Sequence, residues 1–468
     1  MDEFDVVVVG AGPTGENLAD RAHAGGLSVA IVESELVGGE CSYWACMPSK
    51  ALLRPAAALA DARRAPGVGT GTLDASAVLA RRDDFASHWK DDGQVGWLEG
   101  AELVLVRGHG RLDGAKRVAV ETPDGGRRVL TARHAVAVCT GTGAALPDLP
   151  GLAGARPWTS REATSSSQVP PRLAVIGGGV VACEMATAWR ALGSEVVLLV
   201  RGSQLLPRTE PFAGEAVAES LRAAGIDVRF DTSVTEVRRE GTVTLTLDGG
   251  GTVTADEVLF ATGRSPATAD LGLETVDLAP GRPIEVDSTG LATGVPGGWL
   301  YAAGDVNGRA LLTHQGKYQG RIFGEVIADR AAGRPLDTAD WGRSVATADE
   351  RAVPQVVFTD PEVAAVGLTL DEATRKGYRV RAVDYDIGDV AGASLHADNY
   401  QGHARAVVDL DRETLLGVTF VGAGVSELLH SATIAVTAEV PIARLWHAVP
   451  AYPTISEIWL RLLETYRA

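Results

Sequence analysis

The sequence predicts an α/β fold with two nucleotide-binding βαβ units and a third region of mixed α+β character. Two observations predict the units: an apolar run, a glycine-rich turn and a helix-compatible stretch stand together near residue 10, and the same succession returns near residue 177. The third observation is a set of runs without a glycine fingerprint, strand-like at 353–358, 379–383, 403–409 and 415–421 and helix-like near 425–438 and 454–466. A chain of 468 residues has room for three regions of about 150 residues each.

The first unit begins close to the N-terminus. An apolar run over 4–9 leads into Gly10-Ala11-Gly12-Pro13-Thr14-Gly15, and the strand after the next helix ends in Glu33. The first glycine permits a tight turn, the second lets a pyrophosphate approach the backbone, and the third allows close packing of helix and strand. The helix N-terminus offers N–H groups to phosphate, and an acid placed like Glu33 binds ribose hydroxyls. This unit is therefore predicted to bind a dinucleotide.

The second unit repeats the pattern with the opposite charge at the strand end. The run 173–176 leads into Gly177-Gly178-Gly179-Val180-Val181-Ala182, and the strand at 195–200 is followed by Arg201, with Arg208 seven residues later. A guanidinium binds a phosphate bidentately, whereas an acid repels the 2′-phosphate of NADPH. Two Rossmann-like units on one chain indicate a fixed flavin and an exchangeable nicotinamide nucleotide, and Arg201 favours NADPH.

Two of the four cysteines, Cys41 and Cys46, stand five residues apart just after the first unit. Four cysteines are too few for a structural disulfide framework, so a bridge here would be catalytic. In one ideal helix the two Cα atoms would lie about 8.5 Å apart, so a bridge requires a distorted first helical turn. A helix start and the nearby Lys50 both favour a thiolate.

The other cysteines and the residues around the pair have plainer interpretations. Cys139 and Cys183 lie in apolar, glycine-flanked segments and are predicted to be buried, unreactive thiols. Tyr43 and Trp44, between the paired cysteines, are interpreted as wall residues that narrow access to Cys41. No metal site is predicted.

Charge and hydropathy exclude several classes of partner. The formal net charge of −17 argues against nonspecific binding to nucleic acid and against adhesion to anionic membranes. No apolar run reaches the roughly 18 residues that a membrane-spanning helix needs, and residues 1–5 lack the basic start of a signal peptide. The expected location is the cytoplasm, and the expected partner is a small-molecule electron acceptor.

The segment from Gly38 to Lys50 resembles the active site of the class I pyridine nucleotide-disulfide oxidoreductases, which include dihydrolipoamide dehydrogenase, glutathione reductase, mycothione reductase and mercuric reductase. The resemblance runs through nearly the whole chain, in the two fingerprints and in these further motifs: Cys139-Thr140-Gly141, Ala261-Thr262-Gly263-Arg264, Ala303-Gly304-Asp305-Val306, Leu312-Thr313-His314, 354–362 and 453–457.

The resemblance implies FAD, NADPH and a homodimer with a composite active site. It also implies a domain order: residues 1–150 form the first part of an FAD-binding domain, 151–264 an NAD(P)H-binding domain, 265–345 the central FAD-binding part, and 346–468 a C-terminal α+β dimerisation domain.

Individual roles follow from the same resemblance. Cys41 is the expected interchange thiol that faces the substrate, and Cys46 is the expected thiolate against the flavin ring. Lys50 matches the lysine near flavin N5, with Glu184 as its paired carboxylate. The implied FAD contacts are Gly10, Gly12, Pro13, Thr14, Gly15, Glu33, Gly39, Lys50, Thr140, Gly141, Gly304, Asp305, Leu312, Thr313 and His314. The implied NADPH contacts are Gly177, Gly179, Val180, Val181, Glu184, Arg201, Arg208 and Gly263.

One departure from the family pattern affects proton transfer. The family has a histidine two residues before the Thr of its terminal motif, whereas this chain has Tyr452 there and retains the acid Glu457. A phenol has a pKa near 10 and is a poor base at neutral pH, so reduction of ordinary disulfides should be slow. Mercuric reductases also carry tyrosine at this place. His447 is the nearest substitute base, although a surface histidine is its plainer interpretation.

Three functions remain open at this stage. The first is an NADPH-dependent flavoprotein reductase that uses Cys41 and Cys46 on a small disulfide-like acceptor. The second passes electrons directly from the flavin to a quinone, a dye or a metal ion, and would survive replacement of Cys41. The third is a non-enzymatic flavin-binding redox sensor or scaffold. In that case NADPH would not reduce the bound flavin.

Overall fold

The computed structural model describes residues 2–69 and 71–468. The strands are β1 (Asp2–Val9), β2 (Val29–Glu33), β3 (Val104–Arg107), β4 (His109–Leu112), β5 (Arg117–Glu121), β6 (Arg127–Val138), β7 (Thr142–Ala144), β8 (Arg172–Ile176), β9 (Glu195–Leu199), β10 (Asp227–Arg229), β11 (Val234–Glu240), β12 (Thr242–Leu247), β13 (Thr252–Ala255), β14 (Glu257–Phe260), β15 (Arg264–Pro266), β16 (Leu300–Ala302), β17 (Pro354–Val357), β18 (Glu362–Gly367), β19 (Val380–Asp386), β20 (His403–Asp409) and β21 (Thr414–Gly422).

The α-helices are α1 (Pro13–Ala24), α2 (Gly39–Tyr43), α3 (Cys46–Arg64), α4 (Ala75–Phe85), α5 (Asp92–Gly100), α6 (Leu152–Ala155), α7 (Ser160–Ser165), α8 (Val180–Ala191), α9 (Pro211–Ala223), α10 (Thr313–Ala331), α11 (Ala348–Arg351), α12 (Leu370–Arg375), α13 (Ala391–His396), α14 (Leu429–Thr437), α15 (Ile442–Leu445) and α16 (Ile458–Arg467). Short 3₁₀ turns occupy Ser87–Trp89, Leu273–Val276, Asp305–Asn307, Ile387–Asp389, Val425–Leu428 and Ile455–Glu457. No described helix is both long and apolar enough to cross a membrane.

The chain forms two compact units. The first comprises residues 1–47, 83–145 and 264–350, and the second comprises residues 48–82, 146–263 and 351–468. The three domain boundaries that the resemblance implies remain predictions, because a division into two compact units does not test them.

The first unit is built on a sheet in the order β3-β2-β1-β6-β5-β4, with β16 also pairing with β6. Its central strands run parallel, and the last four residues of β1 are all buried valines, as expected for a strand covered on both faces. Helix α10 packs closely on α1 through Gly316, Gly320 and Gly324. An added Cβ at Gly320 would lie 2.6 Å from the Thr14 carbonyl oxygen, so small residues permit this approach.

The second unit contains the other βαβ element. Its four-stranded parallel sheet has the order β10-β9-β8-β14, and a three-stranded antiparallel sheet has the order β11-β12-β13. Buried side chains of α8, among them Trp189 and Met185, join those of the parallel strands in one core.

The C-terminal part of this unit is a five-stranded antiparallel sheet in the order β17-β18-β21-β20-β19. Four of its strands match the predicted runs, and the fifth, β18, was not among them. The α+β character predicted for this region is confirmed.

Candidate active site

Cys41 and Cys46 form a disulfide, as the sequence predicts. Cys41 lies within α2, and Cys46 is the first residue of α3. The departure from ideal helical geometry that the bridge requires takes the form of a break, because the chain leaves helical geometry at Trp44, where φ is −135°. This break between two helices brings the Cα atoms of the two cysteines to 4.7 Å.

The sulfur of Cys46 lies at the start of two helices. It is the first residue of α3, and its Sγ is 3.2 Å from Oγ1 of Thr313, the first residue of α10. Helix N-termini favour negative charge, and a hydroxyl can donate to a thiolate. The geometry therefore suits Cys46 to the thiolate form once the disulfide is reduced.

Lys50 pairs with Glu184, as the resemblance implies. Nζ of Lys50 lies 2.7 Å from Oε2 of Glu184, whose side chain is 3% exposed. The other carboxylate oxygen accepts the backbone N–H of Phe358 at 3.0 Å. The same Nζ lies 5.0 Å from the centroid of the Phe358 ring, within reach of a cation–π contact. The ammonium group is thus held in place by a buried carboxylate and an aromatic face.

The first glycine-rich turn has the features of a dinucleotide site. Gly12 caps α1 without any side-chain hydrogen bond, so no side-chain cap occupies the N-terminus of this helix, where phosphate groups bind readily. A Cβ on Gly39 would lie 2.9 Å from Cα of Gly12, so only glycine permits this approach of α2 to the turn. Glu33 accepts the N–H groups of Ala11 and Glu35, both at 2.8 Å. Burial raises the pKa of Glu33, and these backbone hydrogen bonds oppose the rise.

Asp305 lies in a network that the sequence analysis did not include. Its Oδ2 accepts the hydroxyl of Thr142 at 2.8 Å, and Arg264 donates to both the hydroxyl and the carbonyl of Thr142 at 2.6 Å. Burial raises the pKa of Asp305. Arg264 ends the Ala-Thr-Gly-Arg motif, so the motif carried a signal for it, whereas Thr142 lies outside every motif.

The remaining implied FAD residues lie in the first unit as well. The hydroxyl of Thr140 donates to the Ala267 carbonyl at 3.0 Å, and Gly141 has φ +70°. The N–H of Gly304 donates to the buried Gln319 at 2.7 Å. Leu312 caps α10, and His314 is exposed in its first turn. Together with Glu33 and the glycine-rich turn before α1, these residues fit the binding of an extended dinucleotide such as FAD.

The second glycine-rich turn is more open. Gly179 caps α8 without a side-chain hydrogen bond, and Val181 is 37% exposed. Arg201 follows β9 by two residues, and both Arg201 and Arg208 are exposed. Gly263 has φ +136° and no atom within 4 Å of an added Cβ. Two exposed guanidinium groups therefore stand on the loop after β9.

The two residues of the C-terminal motif, Tyr452 and Glu457, differ strongly in exposure. The Tyr452 side chain is 75% exposed, whereas Glu457 is buried. Oε2 of Glu457 has no hydrogen-bond partner among the described residues, and its Oε1 lies 3.8 Å from an Arg461 nitrogen. His447 is exposed.

Tyr43 and Trp44, between the paired cysteines, differ in exposure, and the other two cysteines are buried. Tyr43 is fully buried and its hydroxyl donates to the Val37 carbonyl at 2.9 Å, so its interpretation as a wall residue is wrong. Trp44 is half-buried. Cys139 and Cys183 are buried free thiols, which confirms their predicted burial. Burial raises the pKa of each to about 12, so both stay protonated at neutral pH.

Comparisons with known proteins cover nearly the whole chain. The family model for pyridine nucleotide-disulphide oxidoreductase matches residues 4–320, and the model for the dimerisation domain of that family matches residues 353–462. A mercuric reductase of Acidithiobacillus ferrooxidans is 33% identical over 464 residues, 97% of this chain and 81% of that protein. Dihydrolipoyl dehydrogenase 3 of Pseudomonas aeruginosa is 32% identical over 478 residues, 98% of this chain and 96% of that protein.

Two solved structures share the fold. The HOCl-induced flavoprotein disulfide reductase RclA of Escherichia coli, in a Cu(II) complex, superposes with a TM-score of 0.84 at 22% identity over 99% of each chain. LpdA of Mycobacterium tuberculosis superposes with a TM-score of 0.83 at 23% identity over 100% of each chain. Together with the domain matches, these likenesses confirm the predicted fold class of two Rossmann-like domains and a C-terminal dimerisation domain.

Proposed function

Because the chain belongs to the pyridine nucleotide-disulphide oxidoreductases, we propose that it passes electrons from NADPH through FAD to the Cys41–Cys46 disulfide and then to a small disulfide-like acceptor. Members of this family are flavin-dependent and use NAD(P)H, and the chain carries a redox-active disulfide. The observation that carries the proposal is the bridge across the break between α2 and α3, with the Thr313 hydroxyl beside the sulfur of Cys46.

The number of electrons and protons transferred determines the role of each cysteine. FAD, when bound, supplies the chemistry that takes a hydride from NADPH and delivers an electron pair to a disulfide. A hydride carries two electrons and one proton, so the Cys41–Cys46 bond breaks to give the Cys41 thiol and the Cys46 thiolate. Thr313 donates to the sulfur of Cys46 and helps it stay ionised. Cys41 then attacks the acceptor disulfide and forms a mixed disulfide, which releases one acceptor thiol. Cys46 attacks the Cys41 sulfur of this mixed disulfide, re-forms the Cys41–Cys46 bond and releases the second acceptor thiol.

Other residues hold the groups that react. Lys50 lies one turn after Cys46 along α3, and Glu184 and Phe358 fix its ammonium group. Glu33 and the α1 turn would hold the adenosine half of FAD, and Asp305 with Thr142 would hold its middle section. Arg201 and Arg208 would bind the 2′-phosphate of NADPH.

The proposal includes a homodimer in which Tyr452 of the partner subunit faces Cys41. Two observations support it: the dimerisation-domain match over 353–462, and the 75% exposure of Tyr452 on the single chain. A phenol can donate a hydrogen bond to a leaving thiolate but does not readily take a proton at neutral pH. Turnover with lipoamide or oxidised glutathione should therefore be weak beside normal reduction of the flavin by NADPH.

The division of roles between the cysteines is tested by two serine variants. Cys46→Ser should remove the long-wavelength absorbance of a thiolate beside oxidised flavin while FAD stays bound. Cys41→Ser should leave Cys46 as a permanent thiolate, with that absorbance present before any reductant is added. Cys139→Ser, which changes a buried and unreactive thiol, is the matched control. Identical spectra for the Cys41 and Cys46 variants would contradict the proposal.

A second candidate function rests on Tyr452 and on the unpartnered oxygen of Glu457. A site without its usual base would favour an acceptor that needs no proton from Cys41, such as a quinone, a dye or a metal ion reduced directly by the flavin. Cys41→Ala separates the candidates: activity lost with every acceptor supports the disulfide route, and full activity with a quinone supports direct transfer.

A further inference from the structure

A short segment with an unusual backbone lies against the redox helix α2. Ser87, His88 and Trp89 have φ values of 49°, 51° and 54°, so three consecutive residues with side chains adopt the left-handed conformation. This conformation is unfavourable for residues other than glycine, and it usually occurs at single positions. We call residues 87–91 the strap.

The strap forms hydrogen bonds at both ends of the segment that carries Cys41. The indole N–H of Trp89 donates to the backbone carbonyl of Tyr43 at 3.2 Å, at the end of α2. The carboxylate of Asp91 accepts the backbone N–H of Val37 at 2.8 Å, just before α2. Cys41 therefore lies between two points that the strap fixes.

Further contacts make these two points rigid. The hydroxyl of Tyr43, a fully buried residue, donates to the Val37 carbonyl at 2.9 Å, so the start and the end of the segment are joined to each other. Arg107 pairs with Asp91 and donates to the Glu35 carbonyl at 2.7 Å. The strap is thus anchored to β3 through Arg107 while it holds α2.

The bond from Trp89 is at the position that decides the geometry of the disulfide. The Tyr43 carbonyl belongs to the last turn of α2, and a helix that continued would bond it to a later N–H. The indole takes that place, and the chain turns at Trp44 so that the cysteines approach to a Cα separation of 4.7 Å.

We propose that Trp89 is a positioning residue that keeps the Cys41 and Cys46 thiols within bonding distance after the disulfide is reduced. In the oxidised chain the covalent bond itself joins α2 to α3. In the dithiol chain only noncovalent contacts keep α2 ended at Tyr43, and the Trp89 bond to the Tyr43 carbonyl is a side-chain contact made at that end. The contact therefore raises the effective concentration of one thiol toward the other, which favours the disulfide. This inference rests on the proposed function, in which the pair alternates between its two forms.

The test is the equilibrium of the holoprotein with dithiothreitol. Reduced dithiothreitol gives two electrons and two protons to the Cys41–Cys46 bond and becomes the cyclic disulfide, and the chain gains two thiols. Samples equilibrated at fixed ratios of reduced to oxidised dithiothreitol are quenched with a denaturing alkylating agent and weighed by mass spectrometry. Two labels mark an oxidised chain, from Cys139 and Cys183, and four labels mark a reduced chain.

Trp89→Phe keeps an aromatic ring and removes the N–H. Loss of one hydrogen bond should shift the equilibrium toward the dithiol by about fivefold. Trp97→Phe is the matched control, because Trp97 lies on α5, is 45% exposed and should leave the equilibrium at its wild-type value. Tyr43→Phe, which removes the hydroxyl bond to Val37, should shift it in the same direction as Trp89→Phe.

A ratio of dithiol to disulfide in Trp89→Phe that lies within twofold of the wild-type ratio would overturn the inference. An equal shift of that ratio in Trp97→Phe would overturn it as well. A purely structural role would lower the stability of the oxidised and dithiol forms alike and leave the ratio unchanged. If Trp89→Phe does not fold, the result for Tyr43→Phe decides by the same criterion. The dithiothreitol equilibrium uses neither NADPH nor an acceptor, so it does not depend on turnover. Failure of the proposed function would be seen in a different experiment, in which NADPH does not reduce the bound flavin.

Discussion

The two βαβ units have the same order of elements, but they differ in how closely the rest of the chain packs around the glycine-rich turn. In the first, α10 covers α1 through a row of glycines, and Glu33 at the strand end is half-buried and accepts two backbone N–H groups. In the second, the arginine after β9 is exposed, and so is Val181 in the first turn of α8. An enclosed turn suits a cofactor that stays bound, and an open turn suits a nucleotide that must leave after each turnover.

The difference extends to the third position of the fingerprint. An added Cβ on Gly15 would lie 1.9 Å from the carbonyl oxygen of Gly10, so the first unit has no room for a methyl group. The second unit has Ala182 at the matching position, and its Cβ lies 3.6 Å from a Cβ built on Gly177. The glycine-rich turn is therefore packed more tightly in the first unit than in the second, although the sequence pattern is the same.

The largest effect is expected from Gly15→Ala. The new methyl group would collide with backbone that cannot move without breaking the turn, so we expect a loss of at least about 3 kcal/mol in the free energy of unfolding together with loss of bound FAD. Denaturant titration and the flavin absorbance of the purified protein measure the two effects.

The matched variant in the second unit is Ala182→Gly. It removes a methyl group that the turn accommodates, so it should cost about 1 kcal/mol through helix propensity and keep FAD bound. Equal losses in the two variants would show that the two turns do not differ in packing.

The residue after the third fingerprint position is Glu16 in α1 and Cys183 in α8. These two side chains predict that the stability of the two units depends differently on pH. Burial raises the pKa of Glu16 to about 7, and its Oε1 has no hydrogen-bond partner among the described residues. The matching residue in α8 is Cys183, whose pKa burial raises to about 12, so it stays neutral across the physiological range. The first unit alone should therefore respond to pH through this position.

The sign follows from proton uptake. The folded chain keeps the Glu16 proton up to about pH 7, whereas the unfolded chain releases it near 4.5, so stability should fall as pH rises between these values. Glu16→Gln should flatten this part of the profile and raise the free energy of unfolding at pH 8 by up to about 3 kcal/mol. Denaturant titrations from pH 5 to pH 8 check this expectation.

The exposed Glu99→Gln on α5 is the control, and it should keep the wild-type slope. A Glu16→Gln slope equal to that of wild type would contradict the account of the buried carboxyl.

The smallest of the three effects concerns the charge after the second strand. Arg201→Glu removes a guanidinium and adds repulsion, so kcat/KM for NADPH should fall about 10- to 100-fold while the value for NADH changes little. Steady-state kinetics with both nucleotides measure the ratio.

Arg238→Glu, an exposed arginine on β11 of the same unit, controls for net charge. If the wild-type chain uses NADPH and NADH equally well, Arg201 does not select the 2′-phosphate.

The features that the sequence predicted are those carried by local pattern. The glycine turns, the strand-end charges and the pairing of Cys41 with Cys46 depend on residues close together in sequence, and the structure shows each of these arrangements. The break between α2 and α3 was not predicted, because the residue that bonds the end of α2 is Trp89, 46 positions from Tyr43.

Other misses have the same physical origin. Tyr43 is buried because its hydroxyl bonds the Val37 carbonyl, which aromatic character alone does not reveal. Thr142 joins Asp305 and Arg264 across long stretches of chain, and no spacing rule links them.

The central claim is that NADPH reduces a bound flavin and, through it, the Cys41–Cys46 disulfide. Anaerobic titration of the purified protein with NADPH, followed by absorbance, tests it directly. The account predicts that the first equivalent yields four alkylatable thiols per chain in place of two and a long-wavelength band from the Cys46 thiolate beside oxidised flavin. Bleaching of the flavin with the thiol count unchanged at two would contradict it.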